Sequence, residues 1–297
     1  MLGGELAFAA ALAALLAAGL SLPLGAALAV ALALSLLVPG ALVATSFVIA
    51  ALLAPGEGGG LLYRGRALLS EAIEFNLAVL AMAVPRESRP PAIEVGAAVP
   101  GKRAARPLLL LHGIVCNYNI WRPWIARLQA AGFGPVRALN LEPLSADIEV
   151  HAARVAQELR ALQRETHGAP VSIIAHSMGG LVARAALRLL PAECVGRIVT
   201  IASPHHGTRL ARGFPWSPTM RQMSPDSAWL QALNAAQEGH LAAPLTSIYS
   251  LEDNLVVPPR SARLAGTPAH ELRGFGHLGL LSSRRAIEQT LAALAQA

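Results

Sequence analysis

The chain has 297 residues, enough for one domain of ordinary size and an additional segment. Its formal net charge of +6 comes almost entirely from scattered arginines, because Lys102 is the only lysine. This scattered charge excludes the basic stripe of a nucleic-acid-binding protein. The two cysteines, Cys116 and Cys194, lie far apart and outside any Cys-x-x-Cys spacing, which argues against a disulfide scaffold and a zinc–thiolate site.

Hydrophobic residues make up 54% of the chain and are concentrated at its start. No charged residue lies between Leu6 and Ala54. A membrane span needs about 20 apolar residues, so residues 1–54 have room for two crossings but not for three. A cleaved signal peptide is the alternative, but the first five residues lack a positive n-region. We therefore predict a transmembrane helical hairpin over residues 1–54, with its turn near Pro23.

The predicted hairpin returns both of its ends to the same side of the membrane. Arg64 and Arg66, just after the second span, favour the cytoplasm as that side. Arginine-rich and lysine-poor composition is typical of a GC-rich bacterial genome. We therefore predict a multi-pass protein of a bacterial inner membrane, with the domain that follows the hairpin on the cytoplasmic side.

Residues 55–90 are predicted to form a glycine-rich linker and an amphipathic helix over Arg66–Val84. In that helix, Glu71 and Glu74 fall on one side, whereas Leu, Ile, Phe and Val fill the other. Two placements follow, on the membrane surface or against the domain that comes next. Several prolines then end the helix and open a domain predicted over residues 91–297.

Short apolar runs alternate with helical patterns through this domain, which predicts an α/β fold with a mostly parallel sheet flanked by helices. In such sheets, functional residues lie on loops at the carboxyl ends of the strands. The predicted strands are Leu108–Leu111, Val136–Leu141, Val171–Ala175, Arg197–Ala202, Leu245–Leu251 and His270–Arg273. The predicted helices are Trp121–Ala131, Asp147–His167, Met178–Leu190 and Ser283–Gln296.

Ser177 lies in the sequence AHSMG, between a predicted buried strand and a predicted helix. This is a variant of the G-x-S-x-G pattern in which Ala175 replaces the first glycine. The pattern requires small residues on both sides because the strand-to-helix turn is sharp. A serine that merely caps a helix needs neither the small neighbours nor the buried strand. We therefore predict that Ser177 is a nucleophile.

A serine nucleophile needs a histidine base and an acid that orients it, expected here in the order Ser, acid, His. Of the downstream histidines, His240 ends a helix and His270 lies in or beside a strand. His277 lies in a glycine-flanked loop after the last strand, and we predict that it is the base.

The chain has only three aspartates, Asp147, Asp226 and Asp253, which limits the candidates for the acid. Asp147 precedes the serine and heads a helix, and Asp226 fits a helix cap. Asp253 directly follows a predicted strand, so we predict that it is the acid, with the neighbouring Glu252 as the alternative.

The oxyanion formed on attack needs preorganised N–H donors. Met178, the residue after the nucleophile, would supply one amide at a helix N-terminus. The loop after Leu108–Leu111 would supply the other, and we assign it to Ile114.

Five segments between Leu108 and Leu281 together resemble the α/β-hydrolase superfamily, and within it the bacterial triacylglycerol lipase and esterase group with an A-x-S-x-G elbow. They are LLLLHGI, AHSMGG, TIASPHHGT, LEDNLVVP and GFGHLGLL. The resemblance implies a triad of Ser177, Asp253 and His277 and matches Ile114 and Met178 to the oxyanion hole. Residues 1–54 lie outside it.

The remaining motifs predict no metal and no cofactor. GFGHLG matches G-x-G-x-x-G but lacks a βαβ unit and the acidic residue that dinucleotide binding requires. His205 and His206 are adjacent and point in opposite directions on an extended loop, which disfavours zinc. The apolar insertion Pro204–Ala243 contains Trp216, Met220, Met223 and Trp229, and its predicted role is either an acyl-binding lid or core packing.

These observations predict a membrane-tethered serine hydrolase that cleaves carboxylic esters of lipids or other acyl substrates through an acyl-enzyme. Its partners would be an acyl ester and the membrane, the latter bound through residues 1–54. A thioesterase, amidase or phospholipase on the same fold is one alternative. An inactive hydrolase-like domain that serves as a membrane interaction module is another.

Overall fold

A six-stranded sheet forms the centre of the protein in the computed structural model, which describes residues 18, 19, 21, 23–83, 106–143 and 146–296. Its strand order is β2-β1-β3-β4-β5-β6, and every neighbouring pair is parallel. The strands are β1 Leu108–Leu111, β2 Val136–Leu139, β3 Val171–His176, β4 Val195–Ile201, β5 Leu245–Ser250 and β6 Ala269–Leu272. The predicted parallel sheet is therefore confirmed, with strand ends that differ by one or two residues.

Helices cover both faces of this sheet. The α-helices of the described residues are α1 Leu24–Leu53, α2 Leu61–Ala83, α3 Arg122–Ala130, α4 Ile148–Glu165, α5 Met178–Leu187, α6 Pro218–Met223, α7 Ala228–Gln237, α8 Gly279–Ser282 and α9 Arg284–Ala295. One core cluster joins the sheet to α4, α5 and α7, and a second joins it to α3, α9 and α2. Both faces of the parallel sheet are thus withdrawn from water.

The sequence of β1 shows why this sheet is buried on both sides. Its four residues are all leucine, and all four are fully buried. Successive side chains of a strand point to opposite faces, so Leu109 and Leu111 pack towards α4 and α5 while Leu108 and Leu110 pack towards α3 and α9. A continuous apolar run is what a strand between two helical layers requires.

α1 is the one described helix that is long and apolar enough to cross a membrane. It has 30 residues and runs through Pro39. Length and composition alone do not separate a membrane span from a signal sequence, since both meet these criteria. The first crossing of the predicted hairpin falls on residues 1–22, of which only 18, 19 and 21 are described, so the hairpin stays a prediction.

α2 begins at Leu61, five residues earlier than predicted, and packs against the second core cluster of the sheet. Its buried face differs from the one that the amphipathic pattern indicates. The side chain of Glu71 is only 1% exposed and lies on the same inward face as Phe75, whereas Leu69 and Ile73 are exposed. The burial of Glu71 has a physical cause, because the backbone N–H groups of Leu278 and Gly279 donate hydrogen bonds to its carboxylate.

The stability of this fold depends on the buried face of α4. We expect Leu159→Ala to lower the free energy of unfolding by about 2–5 kcal/mol, because Leu159 is fully buried and truncation leaves a cavity. Val150→Ala, on the exposed side of the same helix, is the matched control and should change it by less than about 0.5 kcal/mol. Denaturant unfolding of the purified proteins measures both, and equal effects would contradict this account of the core.

Candidate active site

Ser177 lies between β3 and α5, on a turn with unusual backbone angles. Its φ is +55° and its ψ is −127°, a conformation that non-glycine residues rarely adopt and that costs about 1–3 kcal/mol. The turn is held by Ser177 N–H, which donates to the Ile201 carbonyl at 2.9 Å. Although Ser177 occupies the N-cap position of α5, its side chain makes no capping hydrogen bond. The capping role of many serines therefore does not account for this residue.

Close backbone approaches explain the small residues around the turn. A Cβ atom on Gly179 would lie 2.8 Å from the carbonyl oxygens of Leu111 and His112. A Cβ atom on Gly113 would lie 2.7 Å from the Cβ of Ser177. Ala175, which replaces the first glycine of the usual pattern, is fully buried as the last-but-one residue of β3. The turn thus accepts a methyl group at that position but not at the two glycines.

His277 forms a buried pair with Asp253. His277 Nδ1 lies 3.0 Å from Oδ2 and 3.1 Å from Oδ1 of Asp253. Asp253 follows β5 and its Oδ1 also accepts the amides of Leu255 and Val256, at 2.8 and 2.9 Å. A carboxylate fixed in this way holds the imidazole in one orientation and in the tautomer with hydrogen on Nδ1.

The electrostatics of the pair favour the protonated imidazole. Burial by itself would lower the pKa of His277, but the charge and hydrogen bond of Asp253, with a contribution from Glu71, raise this pKa above its ordinary value. The neighbouring His176 has the opposite behaviour, because burial and the charge of His277 hold its pKa well below the usual range. Two histidines whose rings lie 4.6 Å apart therefore differ in basicity.

A cavity of about 660 Å³ opens in front of Ser177 and His277. Its walls are mostly apolar and come from five parts of the chain. α1 contributes Leu42, Val43 and Ser46; α2 contributes Glu71, Phe75, Ala78 and Val79; and the loop after β1 contributes Gly113, Ile114, Val115 and Cys116. The insertion contributes Leu210, Phe214, Met220 and Met223, and the loop after β5 contributes Asn254, Leu255 and Val256. The serine and the histidine thus face one mostly apolar cavity.

The two residues assigned to the oxyanion hole lie on either side of the nucleophile. Met178 is the first residue of α5, so its amide has no carbonyl acceptor in a preceding turn of that helix. Ile114 lies in the loop after β1 and in the cavity wall. Their assignment as oxyanion donors stays a prediction.

The alternative acid, Glu252, has a different set of partners. Its carboxylate accepts the amide of Gly59 at 2.8 Å and that of Gly274 at 2.6 Å. It therefore connects the linker before α2 to the loop that carries His277, while Asp253 is the carboxylate that contacts the imidazole.

His205 and Cys116 have structural surroundings. His205 is fully buried between Thr200, at 2.9 Å, and Arg184, at 3.4 Å. Burial raises the pKa of Cys116 to about 12, with a smaller contribution from Glu71, so this thiol is a poor nucleophile. Within the described ranges, no group of three or more His, Cys, Asp or Glu side chains is arranged to hold a metal ion.

The aromatic and methionine residues of the insertion Pro204–Ala243 fall into two groups, those that line the cavity and those that do not. Met220 and Met223 contribute to the cavity wall. Trp229 packs against the core, with its indole N–H donating to Glu149 at 2.8 Å. Trp216 is 72% exposed. The insertion therefore shapes the cavity in part and supports the core in part.

The sequence does not identify two residues of the site, Glu71 and Asn254. Glu71 lies in the cavity wall with its carboxylate bonded to the amides of Leu278 and Gly279. Asn254 accepts the amide of His277 at 2.9 Å and donates to Ser46 of α1 at 2.8 Å. No local pattern could have identified Glu71, which is 207 residues from Leu278. The only signal for Asn254 is its position beside Asp253.

Comparisons with known proteins identify the fold. A family model described as a domain of unknown function, DUF7379, matches residues 89–222. No curated protein matches the sequence. Among solved structures, the mature lipase BlEst2 of Bacillus licheniformis is 16% identical with a TM-score of 0.58, over 65% of this chain and 93% of that chain.

Two further structures agree. Lipase B of Aspergillus fumigatus is 23% identical with a TM-score of 0.60, over 69% of this chain and 56% of that chain. Phospholipase PlaB from Legionella pneumophila is 13% identical with a TM-score of 0.55, over 65% of this chain and 60% of that chain. The chain therefore has the α/β-hydrolase fold, as its motifs predict.

The raised pKa of His277 provides a test of the buried pair. We expect Asp253→Asn to lower this pKa. Asp253 and Glu71 both favour the imidazolium through their negative charge, and the substitution removes the one whose contribution is larger. NMR titration of the histidine Cε1–H resonances measures the pKa, with the His277 signal identified by its absence in His277→Asn. Asp226→Asn, at an exposed aspartate, is the control. An unchanged pKa in folded Asp253→Asn protein would refute the interpretation.

Proposed function

We propose that the protein is a membrane-anchored serine hydrolase that cleaves carboxylic esters of lipids or other acyl substrates. One observation carries the proposal above the others. A serine in a strained strand-to-helix turn, free of any capping role, opens into an apolar cavity that also contains a histidine paired with a buried aspartate. Strain of this kind is concentrated at functional sites.

The proposed mechanism follows from these residues. His277 accepts the hydroxyl proton of Ser177 as the oxygen attacks the acyl carbon, and Asp253 stabilises the imidazolium that forms. The amides of Met178 and Ile114 bind the oxyanion. His277 then returns the proton to the leaving alcohol, and an acyl-enzyme remains on Ser177. Water, activated by the same histidine, releases the carboxylic acid and restores the serine.

The shape and lining of the cavity support an acyl chain as the substrate group. Most of the wall residues supplied by α1, α2 and the insertion are apolar, and the exceptions are Ser46, Glu71 and Thr208. Apolar walls around a few polar groups are typical of small-molecule sites, in which the apolar part binds and the polar part orients. Two of the structural neighbours are lipases and a third is a phospholipase.

The length of α1 supports membrane anchoring. At 1.5 Å per residue, its 30 residues extend about 45 Å, whereas the hydrocarbon core of a bilayer is about 30 Å thick. If the span starts near Leu24, the interface falls close to Leu42 and Val43, which line the cavity. The cavity would then open beside the bilayer surface, where amphiphilic esters are concentrated.

Contacts at the carboxyl end of α1 support an uncleaved anchor. Ser46 accepts a hydrogen bond from Asn254, and the Leu53 carbonyl accepts one from Arg209. A cleaved signal peptide would leave both donors of the domain without these partners.

We extend the proposal to the first crossing of the hairpin, within residues 1–22. We also propose that the catalytic domain lies on the cytoplasmic side of a bacterial inner membrane, and that the boundary between the helical segment and this domain lies near residue 91.

The nucleophile can be tested with a serine-directed fluorophosphonate probe. We expect the wild type to be labelled and Ser177→Ala to be unlabelled, because phosphonylation needs the activated hydroxyl. Ser227→Ala is the matched control, since Ser227 also lies at a helix N-terminus but its side chain accepts the Leu230 amide as a cap. Gel fluorescence measures the labelling. A folded wild type that remains unlabelled would support an inactive interaction module instead.

The acyl-binding cavity can be tested on α1. We expect Val43→Trp to lower kcat/KM for p-nitrophenyl esters of long acyl chains by about 10- to 100-fold and to leave acetate esters nearly unaffected. The reason is that the indole fills part of the cavity, and a few methylene contacts are each worth about 1 kcal/mol. Val30→Trp, on the exposed part of α1, is the control. Equal losses for short and long esters would contradict the assignment.

A further inference from the structure

Side chains from other parts of the chain bind the backbone amides of the loop that carries His277. We define the histidine loop as residues 273–279. Four of its amides donate to buried side-chain oxygens: Gly274 to Glu252, His277 to Asn254, and Leu278 and Gly279 to Glu71. The last two share a single oxygen, Oε2 of Glu71, at 2.8 and 2.9 Å. The position of the imidazole therefore depends on these three acceptors.

Glu71 is the acceptor that comes from outside the sheet domain. It lies on α2, is 1% exposed and lines the same cavity as Ser177 and His277. The loop is fitted closely around it, because a Cβ atom on Gly276 would lie 2.5 Å from Oε2 and 2.7 Å from the Cβ of Glu71. Any side chain at Gly276 would therefore displace either the carboxylate or the loop.

A buried carboxylate is unfavourable unless its partners compensate. Burial raises the pKa of Glu71, while the charge of His277 and the amides of Gly279 and Leu278 lower it. The other ionisable groups near it are Asp253, Cys116 and, one turn along α2, the half-buried Glu74. A protonated His277 is thus the positive charge that best matches a carboxylate in this position.

We propose that Glu71 is a positioning residue for His277, contributed by the N-terminal helical segment: its carboxylate holds the backbone of residues 278–279 and its negative charge stabilises the imidazolium formed during catalysis. This inference rests on the proposed serine hydrolase function. It implies that α2 completes the active site and is more than a connection between a membrane anchor and an independent enzyme.

Two substitutions separate the charge of Glu71 from its hydrogen bonds. Glu71→Gln keeps an acceptor oxygen but removes the charge, so we expect a lower pKa of His277 and an acidic limb of the kcat/KM profile that moves to lower pH. Glu71→Asp keeps the charge but shortens the side chain. We expect it to preserve the raised pKa of His277 and to lower kcat by about 100-fold with little change in KM, because displacement of a catalytic group by about 1 Å has that cost.

Glu74→Gln is the matched control, because it makes the same change one turn away on a half-buried glutamate. It should alter neither the pKa of His277 nor kcat. NMR titration of the histidine Cε1–H resonances gives the pKa in the full-length protein in detergent micelles. Circular dichroism and thermal unfolding establish that each variant is folded.

The outcomes distinguish this inference from the proposed function. A wild type that fails to react with the fluorophosphonate overturns the hydrolase function, yet the NMR comparison still decides whether Glu71 acts on His277. A folded Glu71→Gln protein with an unchanged His277 pKa and an unchanged pH profile overturns the role of the charge. Loss of stability in both variants without any change in the His277 pKa would reduce Glu71 to a purely structural residue, and so would overturn the proposal.

Discussion

The strained backbone of Ser177 is the constraint on which the rest of the structure depends. A positive φ at a non-glycine residue persists only where the surroundings overdetermine it, and here a buried parallel sheet on one side and α5 on the other do so. Gly113 and Gly179 allow the flanking backbones to approach within distances that no side chain would permit. The all-leucine β1 and the mostly apolar β3 provide the platform, because both strands are buried between two layers of helices.

Opposite this turn, the second half of the site is organised by buried negative charge. Asp253 accepts two backbone amides in addition to contacting the imidazole, and Glu71 accepts two more, from the residues that directly follow His277. Hydrogen bonds from backbone N–H groups stabilise the ionised carboxylates without competing for the histidine. The result is an imidazole that burial alone would make less basic and that two carboxylates make more basic.

The N-terminal helices take part in both halves. α1 supplies part of the cavity wall and, through Ser46, a partner for Asn254, which in turn binds the amide of His277. α2 supplies Phe75 and Val79 to the cavity and Glu71 to the histidine loop. The segment that would anchor the protein is therefore continuous with the proposed acyl site.

The sequence by itself determined the parallel α/β fold and the turn at Ser177, because strand runs, helix periodicity and the small residues of the elbow are local signals. It also predicted Asp253 and His277 as partners, from their positions after the last two strands, and the structure brings those two side chains into contact. Only the tertiary structure decided the role of Glu71. The amphipathic pattern of α2 favours its leucines as the buried face, yet amides 207 residues away provide the partners that bury the carboxylate instead. Partners so distant in sequence leave no local pattern, so the contribution of the N-terminal helices to the site became visible only in the folded chain.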